Sequence, residues 1–245
     1  MKDEEIQRIS DFEEDYWWFI GRKKIIQTII ENELDQNRNI KILDVGCGPG
    51  GTTLVLKRFG TVIGIDFSFS ALQFSTKRGL QVLKGAVNKL PFLDETFDMI
   101  TMFDAIEHIE DDLLVVKELS RILKKTGIIF ITVPAYQFLW GPHDVAESHY
   151  RRYNSKSLSS VVTKGGLSIS RMSYFITIPF PFIALFRLLS KLNVKKPKSD
   201  LAIIRFPKFI DKIFRHILFF ENKLLQKINL PFGLSLICVA KIKFT

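Results

Sequence analysis

The sequence predicts an α/β protein with a seven-stranded, mostly parallel β-sheet and helices on both faces. Between residues 40 and 133, short apolar runs alternate with amphipathic segments, a pattern that is typical of βα units around a parallel sheet. The first apolar run leads directly into the glycine-rich turn Gly46-x-Gly48-x-Gly50, and such turns bind ligands at the carboxyl edge of a parallel sheet. The length of 245 residues is sufficient for one large domain of this kind with additions.

The order of the predicted elements follows from these apolar runs. Helices are expected over residues 52–58, 69–77, 112–124 and 155–165. The helix over 112–124 has apolar side chains on one face and charged side chains on the opposite face, which is typical of a helix that packs on a sheet. Strands are expected near residues 41–45, 61–65, 80–83, 97–102, 127–133, 168–176 and 235–243.

Two additions to this core are predicted. Residues 3–34 are interpreted as one helix ahead of the sheet, and residues 177–232 separate the last two expected strands. Because 56 residues are far too many for a hairpin connection, the second segment is predicted to be a helical insertion. The predicted units are an N-terminal helical lid (residues 1–38), a core in two pieces (39–176 and 233–245) and the insertion (177–232).

The basic residues are concentrated in the second half of the chain. The formal net charge is +9, and residues 151–245 hold 18 Lys or Arg against three Asp or Glu. Such asymmetry indicates an anionic partner. A nucleic-acid partner is not expected, because the sequence has no zinc-ligand spacing, no helix-turn-helix pattern and no RNA-binding strand motif.

The insertion interleaves basic and large apolar residues. It contains an apolar segment (178–192), the basic hinge Lys195-Lys196-Pro197-Lys198 and an amphipathic helix from about 207 to 229. A segment of this kind either lies on an anionic membrane surface or covers the substrate with its apolar face on the sheet. The sequence leaves both alternatives open.

The two cysteines and the N-terminus indicate the compartment. Cys47 lies inside the glycine turn, where a disulfide would obstruct a ligand, so Cys47 and Cys238 are expected to be reduced. The N-terminus lacks a secretory pattern, and no run reaches the roughly 18–20 apolar residues that a spanning helix needs. We therefore expect a cytoplasmic protein, either free or peripherally attached to the inner face of the membrane.

Two acidic residues make the glycine turn more specific. Asp44 lies two residues before the first glycine, where its carboxylate can receive the ammonium group of an amino-acid ligand and would repel a pyrophosphate. Asp66 ends the next strand, at the position where an acid accepts both ribose hydroxyls. Glycines alone do not separate this pattern from the dinucleotide-binding turn of a nicotinamide-dependent oxidoreductase, which remains an alternative.

With these acids, residues 40–134 resemble the Rossmann-like class I S-adenosylmethionine-dependent methyltransferases. The resemblance implies that the glycines hold the methionine moiety, Asp44 its amino end and Asp66 the ribose. Residues 85–92 resemble the adenine loop of this family, with Ala86 where Asp or Ser is common, and residues 103–109 resemble its segment beside the methyl donor. The expected cofactor is S-adenosylmethionine, with S-adenosylhomocysteine as product, no metal is expected, and the expected cofactor-binding residues are Asp44, Gly46, Cys47, Gly48, Gly50, Asp66, Phe67, Ala86, Val87, Phe103, Asp104 and His108.

Candidate catalytic residues cluster after the fifth expected strand, which ends at the same sheet edge as the cofactor turn. His143 or His149 is predicted to be a base or an orienting group, with Asp144 beside it, and Arg151 or Arg152 to clamp an anionic group of the acceptor. The alternative is that His143-Asp144 caps the loop and that the arginines form structural ion pairs.

Aromatic residues supply the remaining candidates. The run Tyr16-Trp17-Trp18-Phe19 is predicted to belong to a lid, since two adjacent Trp side chains cannot both face the core from one helix. A buried contact between helix and sheet would use the same residue types. The expected substrate-binding residues are Trp17, Trp18, Tyr136, Trp140, Arg151 and Tyr153.

The sequence therefore favours a methyltransferase, and O-methylation of a small-molecule, glycan or lipid-linked acceptor is the preferred hypothesis. The lid helix, the His/Arg loop and the basic insertion resemble a subset of bacterial and archaeal class I methyltransferases that act on such acceptors. The alternative is a non-catalytic protein that binds S-adenosylmethionine or serves as a membrane-associated scaffold.

Overall fold

The structure is a computed structural model that describes residues 3–34, 39–192 and 206–243. The strands of the sheet are β1 (Ile40–Val45), β2 (Gly60–Asp66), β3 (Gln81–Lys84), β4 (Phe97–Phe103), β5 (Leu123–Pro134), β6 (Leu167–Phe175) and β7 (Ser235–Ile242). The α-helices are α1 (Asp3–Phe12), α2 (Trp17–Glu33), α3 (Thr53–Leu56), α4 (Phe69–Lys77), α5 (Asp112–Ile122), α6 (Pro142–Ala146), α7 (Ser155–Lys164), α8 (Phe180–Leu192) and α9 (Lys208–Leu225).

The strands form one mixed sheet in the order β3-β2-β1-β4-β5-β7-β6. The neighbours among β1 to β5 pair in parallel, whereas β7 is antiparallel to both β5 and β6. This confirms the predicted seven-stranded, mostly parallel α/β fold. The chain turns outward in opposite directions from β1 and β4, so a crevice opens beyond the carboxyl ends of these two neighbouring strands.

Alternate residues of the central strands enter two hydrophobic cores, one on each face of the sheet. Leu43 and Val45 belong to the core that α5 and α7 cover, and Ile42 belongs to the core that α2, α8 and α9 cover. The alternation follows from the two-residue period of side chains along a strand. Helices therefore cover both faces, as predicted.

The N-terminal segment corrects one expectation. Residues 3–34 form two helices rather than one, with a turn over residues 13–15 between α1 and α2. At this turn the carbonyl of Glu13 accepts from the Lys23 ammonium at 2.8 Å, and the carbonyl of Asp15 accepts from Arg215. Side-chain donors thus satisfy carbonyls that a continuous helix would pair with backbone amides.

Several further boundaries differ from expectation by two or more residues. The helix expected to reach residue 124 ends at Ile122, and β5 starts at Leu123 instead of residue 127, because the buried Leu123 pairs with Phe97 of β4. The helix expected to reach residue 229 ends at Leu225. The basic hinge at 195–198 lies outside the described residues.

Helices α8 and α9 lie in the segment between β6 and β7. Helix α9 crosses α2 closely, because Gly21 leaves no side chain at the contact with Leu218, and the Asn222 amide donates to the Thr28 hydroxyl at 3.0 Å. Glu221 anchors α9 to the end of β6 by accepting from the backbone amides of residues 176–178. Among the described helices, none is both long and apolar enough to span a membrane.

Candidate active site

A cavity of about 920 Å³ lies beyond the carboxyl ends of β1, β2 and β4. This is the crevice at which open α/β sheets bind ligands, and its volume is at the upper end of the usual range for small-molecule pockets. Its lining comes from the glycine turn, the end of β2, the segments after β3 and β4, the loop after β5 and helix α2. The cavity therefore brings residues from the expected cofactor side and the expected acceptor side together.

The glycine turn forms the floor of the cavity in left-handed backbone. Gly46 (φ +71°) lies against Ala105, which a Cβ at this position would approach to 2.5 Å. Gly48 (φ +55°) faces open space, since a Cβ at this position would meet no atom within 4 Å. Gly50 (φ +88°) lies outside the lining, and a Cβ at this position would approach Leu80 Cδ1 to 2.4 Å, so the left-handed turn and the packing both favour glycine here.

Asp44 is 2% exposed and lies at the wall of the cavity. Its two carboxylate oxygens accept from the hydroxyls of Thr53 at 2.6 Å and Thr101 at 2.7 Å. Burial raises the pKa of Asp44 to about 6, although the two hydroxyl hydrogen bonds oppose this shift. A buried carboxylate with few charged partners is chemically suited to receive a ligand ammonium group.

The end of β2 places Asp66 across the turn from Asp44. Its carboxylate accepts from the backbone amides of Gly48 at 2.9 Å and Ser68 at 2.8 Å. Phe67 is 67% exposed at the mouth of the cavity. From the segment after β3, Ala86, Val87 and Asn88 also line the cavity, so the expected adenine loop and ribose acid lie on one side of it.

The segment after β4 connects the cavity to α2. Asp104 (φ +47°) pairs with Arg22 of α2 at 2.7 Å and accepts from the Thr132 hydroxyl at 2.9 Å. Arg22 also donates to Thr132 at 2.8 Å. Phe103 and His108 line the cavity as expected. Arg22 was not among the site residues expected from the sequence, although it closely follows the aromatic run that was assigned to the lid.

Three histidines form a cluster at the other end of the cavity: His108, His143 and His149. The ring centroid of His149 is 4.5 Å from that of His108 and 6.0 Å from that of His143. Asp144 lies behind them, accepting from His149 Nδ1 at 2.8 Å and Arg152 Nε at 2.7 Å. Burial opposes its ionisation, yet the bonds from His149 and Arg152 hold the pKa of Asp144 well below its usual range.

Glu107 lies beside the histidine cluster and was not anticipated. It is fully buried, and neither carboxylate oxygen has a hydrogen-bond partner within the described part of the chain. Burial, together with the charge of Asp104, raises the pKa of Glu107 well above its usual range. Burial and the neighbouring His149 lower the pKa of His108 to about 4, so this ring is neutral at pH 7.

Several expected substrate-binding residues lie outside the cavity lining. Trp17 stacks on Phe214 of α9 at 4.7 Å. Tyr136 stacks on Tyr174 at 5.2 Å. The Tyr153 hydroxyl donates to Asp112 at 2.8 Å. These aromatic side chains point into the layers between helices and sheet, so packing explains them.

The two arginines of the expected clamp form ion pairs in this structure. Arg151 pairs with Asp112 at 2.9 Å at the start of α5, outside the lining. Trp140, another expected substrate-binding residue, closes the short turn 137–139 with its backbone. Arg152 lines the cavity, but its guanidinium is committed to Asp144 and to the Ala135 carbonyl. Both arginines therefore form the structural ion pairs that the alternative interpretation expected.

Helix α2 contributes one of its two adjacent tryptophans to the cavity lining. Trp18 lines the cavity with Tyr16 and Phe19, whereas Trp17 faces α9. The two side chains thus point in different directions, as the helical period requires.

A glycine turn at the switch point, with an acid at the end of the next strand, defines an α/β protein that binds an adenosine-containing cofactor.

Comparison with known proteins specifies this class. Residues 43–131 match the family model of a methyltransferase domain. A demethylmenaquinone methyltransferase of Staphylococcus saprophyticus is 31% identical over 137 residues, which are 52% of this chain and 55% of that protein. The chain therefore spans about half the length of the curated relatives that it matches.

Solved structures share the fold over nearly the whole chain. The complex of a methyltransferase with the Haloferax volcanii Trm112 activator gives a TM-score of 0.62 at 17% identity, covering 99% of this chain and 96% of that one. An S-adenosylmethionine-dependent methyltransferase of Thermotoga maritima gives 0.59 at 19% identity, covering 97% and 98%. Residues 43–131 therefore match a methyltransferase domain, and the solved structures show that the chain shares the fold of these methyltransferases.

Proposed function

We propose that this protein transfers the methyl group of S-adenosylmethionine to an oxygen atom of a small-molecule acceptor. The observation that carries the proposal is that one cavity is lined both by the glycine turn with Asp44 and Asp66 and by the histidine cluster. The curated relatives are demethylmenaquinone methyltransferases, which favours a small molecule, and a glycan or lipid-linked acceptor remains within the proposal.

The residues on the cofactor side suit the proposed ligand. The open space above Gly48 admits a ligand at the backbone, Asp44 matches an ammonium group, and Asp66 matches vicinal hydroxyls. When bound, S-adenosylmethionine supplies an electrophilic methyl group on a sulfonium centre. The protein has to align the acceptor oxygen with this group and to exclude water.

The histidine cluster supplies the proton chemistry. The acceptor oxygen forms the new bond to the methyl carbon, its proton passes to a histidine, and the bond from carbon to sulfur breaks with its electron pair left on sulfur. His143 and His149 both line the cavity. Asp144 holds the His149 ring through Nδ1, so the Nε2 atom of His149 is not used in this bond.

The test separates cofactor binding from transfer. Calorimetry with S-adenosylhomocysteine is expected to show binding that Asp66→Ala abolishes, and labelled S-adenosylmethionine is expected to label the oxygen of a hydroxylated small molecule, such as the reduced quinol form of demethylmenaquinone. Alanine variants of His143 and His149 are then expected to slow transfer without weakening binding. Binding without transfer to any tested acceptor would support the non-catalytic alternative, and absence of binding would overturn both.

We further propose that the acceptor reaches the cavity from a membrane surface through the insertion. Helix α8 presents Phe182, Leu185 and Leu189 to solvent at helical spacing, and Phe182 is 77% exposed. Arg187 of the same helix lines the cavity. An exposed apolar face within a strongly basic half of the chain suits the interface of an anionic bilayer.

Co-sedimentation with vesicles tests this part. The protein is expected to pellet with vesicles that contain anionic lipid and less with neutral vesicles, because both apolar insertion and charge contribute. Serine at Phe182 and Leu185 is expected to reduce pelleting, whereas Leu93→Ser is the matched control, since Leu93 is 83% exposed and lies in the segment between β3 and β4, outside the insertion. Full recovery of the wild type in the supernatant at low salt would rule out the membrane surface.

A further inference from the structure

The buried Glu107 and two of the clustered histidines converge on one point. One ligand atom each of Glu107, His108 and His149 lies within 4.8 Å of the others. Glu107 and His108 come from the short 3₁₀ turn after β4 (Ile106–His108), and His149 comes from the loop after α6. All three residues line the cavity that the glycine turn also lines.

We propose that Glu107, His108 and His149 bind a divalent first-row transition-metal ion, such as Zn²⁺ or Fe²⁺. Two imidazoles and one carboxylate are a recurrent ligand set for these ions, and three protein ligands leave coordination positions open for water or substrate. The proposal concerns metal binding by this chain, which the match to a methyltransferase domain does not imply.

The state of Glu107 supports the proposal independently of the spacing. Its side chain is fully buried, and no hydrogen-bond partner for either oxygen is found among the described residues. A buried carboxyl group without partners is costly, and such groups in native proteins require an explanation. A cation between Glu107 and the two rings would satisfy this carboxylate.

The outer contacts of the two rings have the arrangement of metal-binding histidines. His149 uses Nδ1 for Asp144 at 2.8 Å, and the His108 ring has a hydrogen bond with the backbone of Glu147. Each ring therefore retains its second nitrogen for a ligand bond. A carboxylate or backbone group behind the ring is the usual support of a metal ligand, because it fixes the orientation of the ring.

Asp144 is itself fixed, as a positioning residue should be. It accepts from Arg152 Nε at 2.7 Å and from the Gly141 amide at 2.8 Å, with its side chain fully buried. These bonds hold the carboxylate and, through it, the His149 ring. The support thus extends from the proposed ligand into the loop after β5.

A metal at this point would have a consequence for the acceptor, which rests on the function proposed above. An ion with open positions would bind the acceptor oxygen in the same cavity as the cofactor and favour its deprotonated form. His149 would then be a ligand. His143, whose ring centroid is 6.0 Å from that of His149, would remain to receive the proton.

Cobalt binding measures the proposal without any turnover. The full chain is treated with a chelator, dialysed and titrated with Co²⁺, whose visible absorption reports the coordination, and Zn²⁺ is then added as a competitor. We expect saturation at one ion per chain and displacement by Zn²⁺. A wild-type titration that shows no saturable band would overturn the proposal.

Variants assign the ligands. Glu107→Gln and His149→Ala are each expected to weaken Co²⁺ binding by at least about tenfold, and Asp144→Asn by about 10- to 100-fold through the His149 ring. His216→Ala is the control, since His216 lies on α9 outside the cavity lining. Glu107→Gln is expected to retain the fold, because it removes an unpaired buried carboxylate. Wild-type affinity in a folded Glu107→Gln protein would contradict the assignment.

Parallel calorimetry distinguishes this proposal from the proposed function. S-adenosylhomocysteine binding is expected to persist in the chelated protein, while methyl transfer is expected to fall and to return with added Zn²⁺ or Fe²⁺. Full transfer by the chelated protein would overturn a role of the metal in transfer and leave the proposed methyltransferase function intact. Metal binding without any binding of S-adenosylhomocysteine would support the metal site and overturn the proposed function.

Discussion

Asp44 joins the chemistry of the cofactor site to the stability of the sheet. Its carboxyl group lies where a polar ligand is expected, but without a ligand it depends on the hydroxyls of Thr53 and Thr101. The folded chain therefore favours the neutral form of Asp44 more than an unfolded chain does.

This shift predicts a pH dependence of stability. The pKa of Asp44 is about 6 in the folded chain, against an ordinary value of 3.8. Between these values the folded state retains a proton that the unfolded state releases, so the free energy of unfolding falls as pH rises, by up to about 3 kcal/mol. Denaturation from pH 4 to 7 is expected to show a flatter profile for Asp44→Asn. Parallel profiles for the two proteins would contradict the shift.

A single methyl group added at Gly48 tests whether the glycine turn binds the cofactor. A methyl group at Gly48 would enter the cavity, so Gly48→Ala is expected to weaken S-adenosylhomocysteine binding at least about tenfold. The left-handed backbone at this position adds a separate conformational cost of about 1–2 kcal/mol. Gly79→Ala is the matched control, because Gly79 (φ +70°) also faces open space but lies outside the lining. Calorimetry is expected to show unchanged binding in this control. Equal losses in both variants would indicate a general effect of backbone strain.

At the scale of elements, the packing of α2 on α9 depends on the absence of a side chain at Gly21. A Cβ there would lie 2.2 Å from Leu218 Cδ1 and 2.8 Å from Leu218 Cβ. Gly21→Ala is therefore expected to destabilise the protein by about 1–3 kcal/mol through overpacking. Urea denaturation measures this loss.

A double-mutant cycle supplies the control for this contact. Leu218→Ala removes the atoms that the new methyl group meets, so the loss caused by Gly21→Ala is expected to be smaller in the Leu218→Ala background. Strict additivity of the two changes would show that the loss arises elsewhere in α2.

The sequence predicted most elements because their apolar patterns are local. β1, β2 and β4 were found within a few residues, since each is a short buried run between turns. The break between α1 and α2 was missed, because it depends on Lys23 and Arg215 donating to carbonyls of the turn. Such contacts join distant parts of the chain and leave no periodic signal.

The candidate site was predicted in part for the same reason. The glycine turn, Asp44 and Asp66 are recognisable because strand, turn and acid are adjacent in sequence. Trp17 was expected in the site, but its position on α2 turns it toward Phe214. Glu107 was missed, although an acidic residue next to a histidine shortly after a buried strand was a signal of a site. The sequence alone does not show that His149 lies beside this pair.

At the scale of the whole molecule, Arg22 connects α2, a part of the predicted lid, to the sheet beside the cavity. It contacts both Asp104 and Thr132, and its side chain is 11% exposed. Arg22→Met is expected to cost about 1–3 kcal/mol, because it leaves a partly buried carboxylate without its main cation. It is also expected to weaken S-adenosylhomocysteine binding, since Trp18 and Phe19 line the cavity from the same helix.

Amide hydrogen exchange and calorimetry check this coupling. Exchange is expected to accelerate in α1 and α2 of Arg22→Met more than in the central strands. Arg58→Met is the control, because Arg58 is 53% exposed and its contact with Glu31 is 3.9 Å long, so little change is expected. Unchanged exchange in the lid of Arg22→Met would mean that packing alone holds it.

The position of β7 has a consequence for synthesis on the ribosome. β7 lies between β5 and β6 in the sheet but follows both in the chain. While translation proceeds, the edge of β5 stays unpaired and β6 has no strand to join until residues 235–242 have emerged. Because Leu234 and Ser235 also line the cavity, a nascent chain that stalls before them has an incomplete pocket. Such a chain also exposes the unpaired edge of β5, which can pair with other chains and aggregate.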